Sequence, residues 1–211
     1  MRTLKNPIGL SHAVVALLAG NIFFDVLLGG VETSELGADG AGTSESDAFA
    51  PADGAYALAG LVYLATIVVF IIWFHRLRNN AEVWASDLQT RTPGFAIGGW
   101  FIPFGNLWIP RSIAVEIWRA SRWEPYAADA KGELTLLNSW WVCFVVGGLV
   151  DSIAGRLYED AGTVEEWNTA TFWSLAGYGL NITAAVLAIL LVRRMTSMQH
   201  AKATGMIPAA Q

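Results

Sequence analysis

Residues 93–123 read PGFAIGGWFIPFGNLWIPRSIAVEIWRASRW, and this stretch decides how the rest of the chain can be arranged. It is rich in Trp and apolar residues, yet Pro103 and Pro110 interrupt it, and a proline inside a helix removes a hydrogen bond and kinks the helix. Four charged residues load its second half: Arg111, Glu116, Arg119 and Arg122. The stretch is therefore a poor spanning helix within a chain that is otherwise strongly apolar.

The composition indicates a membrane protein. Of the 211 residues, 54% are hydrophobic and 15% are charged, whereas a soluble domain carries roughly 25% charged residues. The single cysteine, Cys143, excludes an intrachain disulfide and a cysteine metal cluster. The sequence has no basic patch on a soluble fold, so nucleic acid is not an expected partner.

Four apolar runs are long enough to span a bilayer: residues 10–31, 55–74, 136–157 and 170–192. Each has about 20 residues or slightly more, which at 1.5 Å per residue matches a hydrocarbon core of ~30 Å. The first run is too long for a signal peptide and no cleavage site follows it closely, so it is predicted to be an uncleaved span. The predicted fold is an all-α integral membrane four-helix bundle, a single domain over residues 1–211.

The charges between the runs predict the orientation. Residues 32–53 carry six acidic residues and no Lys or Arg, and are predicted to be a mobile outer loop. With four spans and both termini cytoplasmic, twelve basic residues lie inside and only Arg156 lies outside; a fifth span through 93–123 leaves six inside and seven outside. The positive-inside rule therefore favours four spans.

The middle stretch must then stay on the cytoplasmic side. Residues 95–110 are predicted either to dip into the bilayer and return or to lie flat at headgroup level, and both alternatives stay open. From Pro110 a helix is favoured, because proline suits the first helical turn. This helix has an apolar and a charged side, typical of an interfacial amphipathic helix: Ile113, Ala114, Ile117, Trp118 and Ala120 against Arg111, Glu116, Arg119 and Arg122.

Two aspartates within the spans, Asp25 and Asp151, are the sharpest candidates for chemistry. A carboxylate facing lipid costs ~2.5–3.5 kcal/mol on insertion scales, so such residues usually face protein or water. With Asn21 and Asn181 they are candidates for an ion or proton pathway. The alternative is structural hydrogen bonding, since each lies only about 9 Å below the outer surface by helix rise.

A faint internal repeat relates the two halves of the chain. The first span carries Asn21, Asp25 and Gly29, and the third span carries Gly147, Asp151 and Gly155 at the same spacing. The tripeptide LAG occurs at 58–60 and again at 175–177. These matches indicate two tandem hairpins related by an axis along the membrane normal, although short matches between apolar helices also arise by chance.

A second candidate site is basic. It combines a cluster after the second span with arginines of the middle stretch, and it would bind anionic lipid headgroups or another phosphate: His75, Arg76, Arg78, Arg111, Arg119 and Arg122. The alternative is that these residues only fix the topology. His12 and His75 are a possible pair for a haem iron, although interfacial anchoring is the commoner role. No catalytic residue, metal ligand or cofactor is predicted, because no recognisable motif occurs.

Two motifs resemble one protein family. WFHRLRNNAEVW at 73–84 and GFAIGGWFIPFGNLWIPRSIAVEIWRAS at 94–121 are similar to the domain of unknown function 4328, a family of mostly actinobacterial membrane proteins. The resemblance covers about residues 55–194. It implies a bacterial plasma membrane and several hydrophobic helices, and it transfers no catalytic or ligand residues because the family has no established activity.

The sequence thus predicts a non-enzymatic multi-pass membrane protein with a scaffold or regulatory role. Its lipid- or protein-binding surface would be formed by the middle stretch on the cytoplasmic face. The expected partners are the bilayer, including anionic headgroups, and either a membrane protein or a second copy of this chain. The alternatives are a small oligomeric transporter or proton or ion pathway using Asp25 and Asp151, and a haem-binding redox protein.

Overall fold

Six α-helices make up most of the described protein. The computed structural model describes residues 4–36 and 45–205. In chain order the helices are α1 (Ile8–Glu35), α2 (Glu45–Trp84), α3 (Phe95–Gly98), α4 (Ile109–Ser121), α5 (Thr135–Asp160) and α6 (Val164–Thr204), with 3-10 turns at Ser86–Leu88 and Gly105–Leu107. No β-strand occurs within these ranges, and the predicted all-α class is confirmed.

Four of the helices, α1, α2, α5 and α6, are long and apolar enough to cross a membrane. They contain the four predicted runs but extend beyond them, α2 to Trp84 and α6 to Thr204. The difference arises because hydropathy marks only the apolar part of a helix, whereas the helix continues through polar residues that the protein itself buries.

The predicted outer loop is shorter than residues 32–53. Helix α1 continues to Glu35 and α2 already begins at Glu45, so both ends of the acidic segment are helical. Residues 37–44 lie outside the described residues, and the mobility expected there stays a prediction.

Contacts divide the chain into two compact units, where the sequence predicted one domain. Unit 1 comprises Met1–Ala16, Thr66–Ser139 and Leu187–Gln211, and unit 2 comprises Leu17–Ala65 and Trp140–Val186. The charges follow this division. Unit 1 holds twelve of the thirteen basic residues, whereas unit 2 holds Arg156 and twelve of the eighteen acidic residues. The charge bias that predicted the orientation is therefore also a difference between the two units.

Unit 1 is built around α4, which is buried along most of its length. Ile113, Ile117 and Ala120 are fully buried, and Val115 and Glu116 on other sides of the helix are also buried. The sequence predicted an amphipathic helix lying at headgroup level, with its charged side toward water. Instead, α4 has protein on most sides, because loop residues and the polar end of α6 cover the side that carries charge.

The motif before α4 is explained by close packing at the start of that helix. A side chain on Gly99 or Gly105 would place its Cβ 2.7 and 2.8 Å from atoms of Ile109, closer than carbon atoms approach in proteins. Glycine is needed at both positions so that the preceding turns can lie against Ile109. Pro110 then occupies the first turn of α4, where its missing N–H costs no helical hydrogen bond.

A buried polar network joins three helices of unit 1. Gln199 on α6 is 1% exposed, and its Nε2 donates to the Leu77 carbonyl at 3.0 Å and to the Ser121 hydroxyl at 3.2 Å. Its Oε1 accepts from Nδ2 of Asn80 at 2.9 Å. Asn80 in turn exchanges hydrogen bonds of 2.8 and 2.9 Å with the backbone of Lys5. The side-chain amide of this α6 residue therefore bonds polar groups of both α2 and α4.

Replacing this amide is expected to destabilise the protein. Gln199→Leu conserves volume but leaves the Leu77 carbonyl, Asn80 and Ser121 each one hydrogen bond short inside the protein. We expect the free energy of unfolding to fall by ~1–3 kcal/mol, seen as a lower thermal midpoint in detergent micelles. His200→Ala, one residue along and exposed, is the control and should leave the midpoint unchanged. Equal midpoints for both variants would contradict this role.

Candidate functional site

The first candidate site is an exposed apolar surface formed by residues 95–108, named here the hydrophobic loop. Its most exposed large side chains are Phe104 at 78%, Phe101 at 70% and Trp108 at 55%. Four more large hydrophobic residues of the loop are exposed: Phe95, Ile97, Ile102 and Leu107. Seven exposed large apolar side chains within fourteen residues are typical of a site of protein or membrane contact.

The backbone of the hydrophobic loop is satisfied almost entirely from within. Eleven of its N–H groups donate to carbonyls of residues 92–105, mostly in tight three- and four-residue turns. Irregular backbone can enter a hydrocarbon region only when its polar groups have partners other than water. Most N–H groups of the loop have such partners, and seven of its large side chains remain exposed.

Phe104 occupies a strained turn within the hydrophobic loop. Its φ is 59° and its ψ is −39°, and the N–H of Gly105 donates to the Pro103 carbonyl at 2.6 Å. A three-residue turn with positive φ at a residue bearing a side chain is rare and strained, at a cost on the order of 1–3 kcal/mol. This turn directs the Phe104 side chain, the most exposed aromatic of the loop, away from the rest of unit 1.

The structure does not gather the six predicted phosphate-binding residues into one pocket. Arg78 is fully buried and bonds Glu82 and the Arg91 carbonyl. The other five are also engaged within unit 1. His75 Nδ1 donates to the Pro93 carbonyl at 3.1 Å, and Arg76 donates to the Asn6 carbonyl at 2.9 Å. Arg111 donates to Asn138 at 2.6 Å, Arg119 to Asp129 at 2.6 Å and Arg122 to Glu133 at 3.0 Å. Binding of phosphate by this set stays a prediction.

The Arg119–Asp129 ion pair also shifts the pKa values of both side chains. The hydrogen bond from Arg119 holds the pKa of Asp129 below its ordinary value and raises that of Arg119. Nearby, Tyr126 donates to Asp87 at 2.7 Å, and this bond raises the pKa of the Tyr126 hydroxyl. The Arg119–Asp129 contact is an exposed ion pair, and pairs of this kind contribute little to stability.

Two charged residues of unit 1 have roles that sequence reasoning missed. Glu116 was placed on the solvent side of α4, but it is only 8% exposed and accepts from the Thr90 hydroxyl at 2.5 Å. Lys202 donates through Nζ to the carbonyls of Ala120 at 2.9 Å and Arg122 at 2.7 Å, which caps the end of α4. Neither partner lies near its residue in the sequence, so no local pattern indicated the contact.

The second candidate site lies in unit 2, where Nδ2 of Asn181 donates to Oδ2 of Asp151 at 2.9 Å. Asp25 is near enough to Asp151 for their charges to interact. Asn21 lies one helical turn before Asp25 and is half-buried.

Glycines allow the close approach at this site. A Cβ added to Gly147 would lie 2.8 Å from Oδ1 of Asn181, and one added to Gly177 would overlap Oδ1 of Asp151. Small residues at such positions let helices approach and let polar groups meet across them. The small-residue spacing that accompanied Asp151 in the sequence was the signal for this arrangement.

Glu32 is a further buried carboxylate that the sequence gave no reason to single out. It was assigned to the outer loop, yet it is a helical residue of α1 and only 7% exposed. Its Oε1 accepts from the hydroxyls of Tyr178 at 2.8 Å and Tyr56 at 3.1 Å. The Tyr158 hydroxyl lies 3.5 Å from Oε2, but its one proton is donated to Oγ1 of Thr171 at 3.0 Å. Among the described residues the carboxylate has hydroxyl donors and no basic partner.

The residues considered for haem have other surroundings. His12 is exposed, and the ring of His75 is held by the Pro93 carbonyl. Within the described ranges, no group of three His, Cys, Asp or Glu residues is arranged to hold a metal ion.

The four long apolar helices and the polar groups between them define the class of this chain, which is a multi-pass membrane protein. It belongs to the family called domain of unknown function (DUF4328), whose model matches residues 37–197 and confirms the predicted membership. No curated protein and no solved structure matches the chain.

The Asp151 contact makes a prediction about two glycines on one helix. In Gly177→Ala the new methyl group overlaps Asp151 and separates it from Asn181, so we expect a loss of ~1–3 kcal/mol in stability, measured as a lower thermal midpoint in micelles. Gly179→Ala is the matched control, because nothing lies within 4 Å of a Cβ there. It should be neutral or mildly stabilising. If Gly177→Ala is no less stable than Gly179→Ala, the close contact is wrong.

Proposed function

We propose that this protein is a non-enzymatic membrane scaffold or regulatory protein whose hydrophobic loop inserts into the inner leaflet of the bilayer. The observation that carries the proposal is Phe104, an aromatic residue with positive φ that is 78% exposed. A strained residue that is also apolar and exposed is maintained for a contact outside the described protein.

The energies favour insertion into lipid. Moving one large apolar side chain out of water contributes ~1.5–3 kcal/mol. Phe101, Phe104 and Trp108 together therefore contribute more than the ~1–3 kcal/mol of strain at one residue. The loop's own hydrogen bonds reduce the cost of removing its backbone from water. A lipid phase meets these requirements without needing a shaped partner surface.

The charges favour the cytoplasmic leaflet. The hydrophobic loop belongs to unit 1, which holds twelve of the thirteen basic residues. The positive-inside rule assigns such a unit to the cytoplasmic side, with both chain termini there and the plasma membrane of a bacterium as the expected location. In this arrangement the loop anchors unit 1, and α4 supports it from within. A unit fixed at the membrane surface in this way is suited to bind a regulatory partner or a second copy of the chain.

Insertion can be measured by the depth of a fluorescent label. On a Cys143→Ser background, Phe104→Cys carrying an environment-sensitive dye should be quenched strongly by nitroxides on lipid acyl chains in vesicles. Tyr126→Cys is the control, since position 126 is 65% exposed but lies outside the hydrophobic loop, and quenching there should be weak. The same Tyr126→Cys variant should react with an impermeant thiol reagent in inside-out vesicles and not in intact cells.

Two outcomes would count against this function. Equal quenching at positions 104 and 126 would show that the loop is not inserted. If the dye at position 104 is shielded only when another protein co-purifies, the loop binds a protein partner and not lipid.

A second candidate function is an ion or proton pathway in unit 2, favoured by the proximity of Asp25 and Asp151 and by the Asn181 hydrogen bond. Intramembrane carboxylates commonly mark such pathways. A single group of four spans is small for a conducting path, so this function requires an oligomer.

Flux into proteoliposomes tests the second candidate. If the pathway exists, Asp25→Asn or Asp151→Asn should reduce proton or cation flux at least about tenfold, the effect expected when a required carrier group is lost. Asp129→Asn in unit 1 is the control and should leave flux unchanged. Flux that is the same in all three variants removes the aspartates from any pathway.

A further inference from the structure

One cavity of unit 1 is lined mainly by basic and aromatic side chains. It has a volume of about 200 Å³ and lies between the end of α4 and the last turns of α6. The lining combines three basic residues, two indoles and one carboxylate with two smaller contributors: Arg122, Arg194, Lys202, Trp118, Trp123, Glu133, Ser121 and Met198. The volume is below the ~300–1,000 Å³ typical of drug-sized ligands, but it holds roughly six waters at ~30 Å³ each. A single phosphate group with part of a headgroup is of this size.

The one acidic residue of the lining is already engaged. Glu133 accepts from Nε1 of Trp118 at 2.8 Å, from Arg122 at 3.0 Å and from the backbone N–H of Ala130 at 3.0 Å. Arg122, which compensates this charge, also lies 3.3 Å from Asp129, so one of the three basic residues is shared between two carboxylates. The remaining charge of the lining is positive, which selects an anion.

The three basic residues are compensated to different degrees. Nε of Arg122 is buried and has no acceptor among the described residues. Lys202 donates to the carbonyls of Ala120 and Arg122, and its Nζ also lies 5.4 Å from the centre of the Trp84 ring. Arg194 is exposed and forms no ion pair within the described part of the chain. Three cationic side chains that line one cavity suit the oxygens of a phosphate.

The indoles indicate where the ligand comes from. Trp118 is 4% exposed and Trp123 is 53% exposed, so an aromatic side chain lies both within the lining and at its open side. Trp is the residue that prefers the headgroup level of a membrane. An anionic ligand that brings an apolar or glycerol part would use both surfaces.

We propose that this cavity binds the phosphate of an anionic phospholipid headgroup, with Arg122, Arg194 and Lys202 as the phosphate-binding residues. The inference deepens the proposed function, since it rests on unit 1 lying at the inner membrane surface. It assigns the phosphate chemistry to a different set of residues from the one that sequence spacing favoured. Arg194 and Lys202 enter the site, whereas Arg111 and Arg119 do not line it.

Two neighbouring arginines provide a matched test. Arg193 and Arg194 are both exposed, but only Arg194 lines the cavity. The full chain in detergent is titrated with short-chain phosphatidylglycerol, and bound lipid is counted by native mass spectrometry. Arg194→Gln should weaken binding at least about tenfold, as expected for loss of a charged hydrogen bond. Arg193→Gln should change it less than about twofold. Zwitterionic phosphatidylcholine should bind weakly to all three proteins.

The remaining outcomes decide between ligands or overturn the proposal. If inorganic phosphate alone competes at millimolar concentration and its binding is lost in Arg194→Gln, the ligand is a free phosphate; if it does not compete, the ligand is the lipid headgroup. Equal weakening by Arg193→Gln and Arg194→Gln overturns the site, because diffuse surface charge then explains the binding. No binding of either probe also overturns it. The quenching of a dye at position 104 in Arg194→Gln reports the proposed function separately, and should be unchanged.

Discussion

The burial of α4 is the constraint on which unit 1 depends. Most of this thirteen-residue helix is enclosed by protein, so the buried Glu116 requires a partner within unit 1, whereas the Arg119 side chain is 41% exposed and pairs with Asp129 at the surface. Those partners come from distant parts of the chain, with Thr90, Asn138 and Asp129 facing the helix and Gln199 and Lys202 closing its end. Helix α4 therefore stabilises unit 1 from within, whereas the exposed apolar surface belongs to the segment before it.

That segment, the hydrophobic loop, has the opposite properties. Its backbone is satisfied locally by tight turns, and its large side chains remain exposed. The two glycines against Ile109 join the loop to the buried helix. Because α4 is held firmly, the loop can maintain a strained turn at Phe104, and the strain has a function only if something outside the described protein covers that side chain. A bilayer is the simplest such cover for a chain with four membrane-spanning helices.

Sequence reasoning predicted most of the fold, whereas the candidate sites stay predictions, and the distinction has a physical basis. Hydropathy runs identified the four long helices because a span must be apolar over about 20 residues. Of the two glycines spaced around Asp151, Gly147 lies against Asn181, whereas nothing lies within 4 Å of a Cβ at Gly155. The buried carboxylate of Glu32 gave no signal in the sequence, because the tyrosines around it are far from it in the chain. Trp73 and Trp118 are also buried, although Trp is a residue type that prefers the membrane interface.

By itself, the sequence determined that the chain is all-α, that four helices can cross a membrane, that it belongs to its family and that its charges are unevenly distributed. Family membership rests on two matching motifs, and the other properties depend on local composition and periodicity. Only the tertiary structure decided that residues 109–121 are internal and residues 95–108 external, and that Arg122, Arg194 and Lys202 share one cavity. A helical wheel shows which residues share a side. It cannot show whether water, lipid or another helix covers that side, because contacts between residues distant in sequence determine burial.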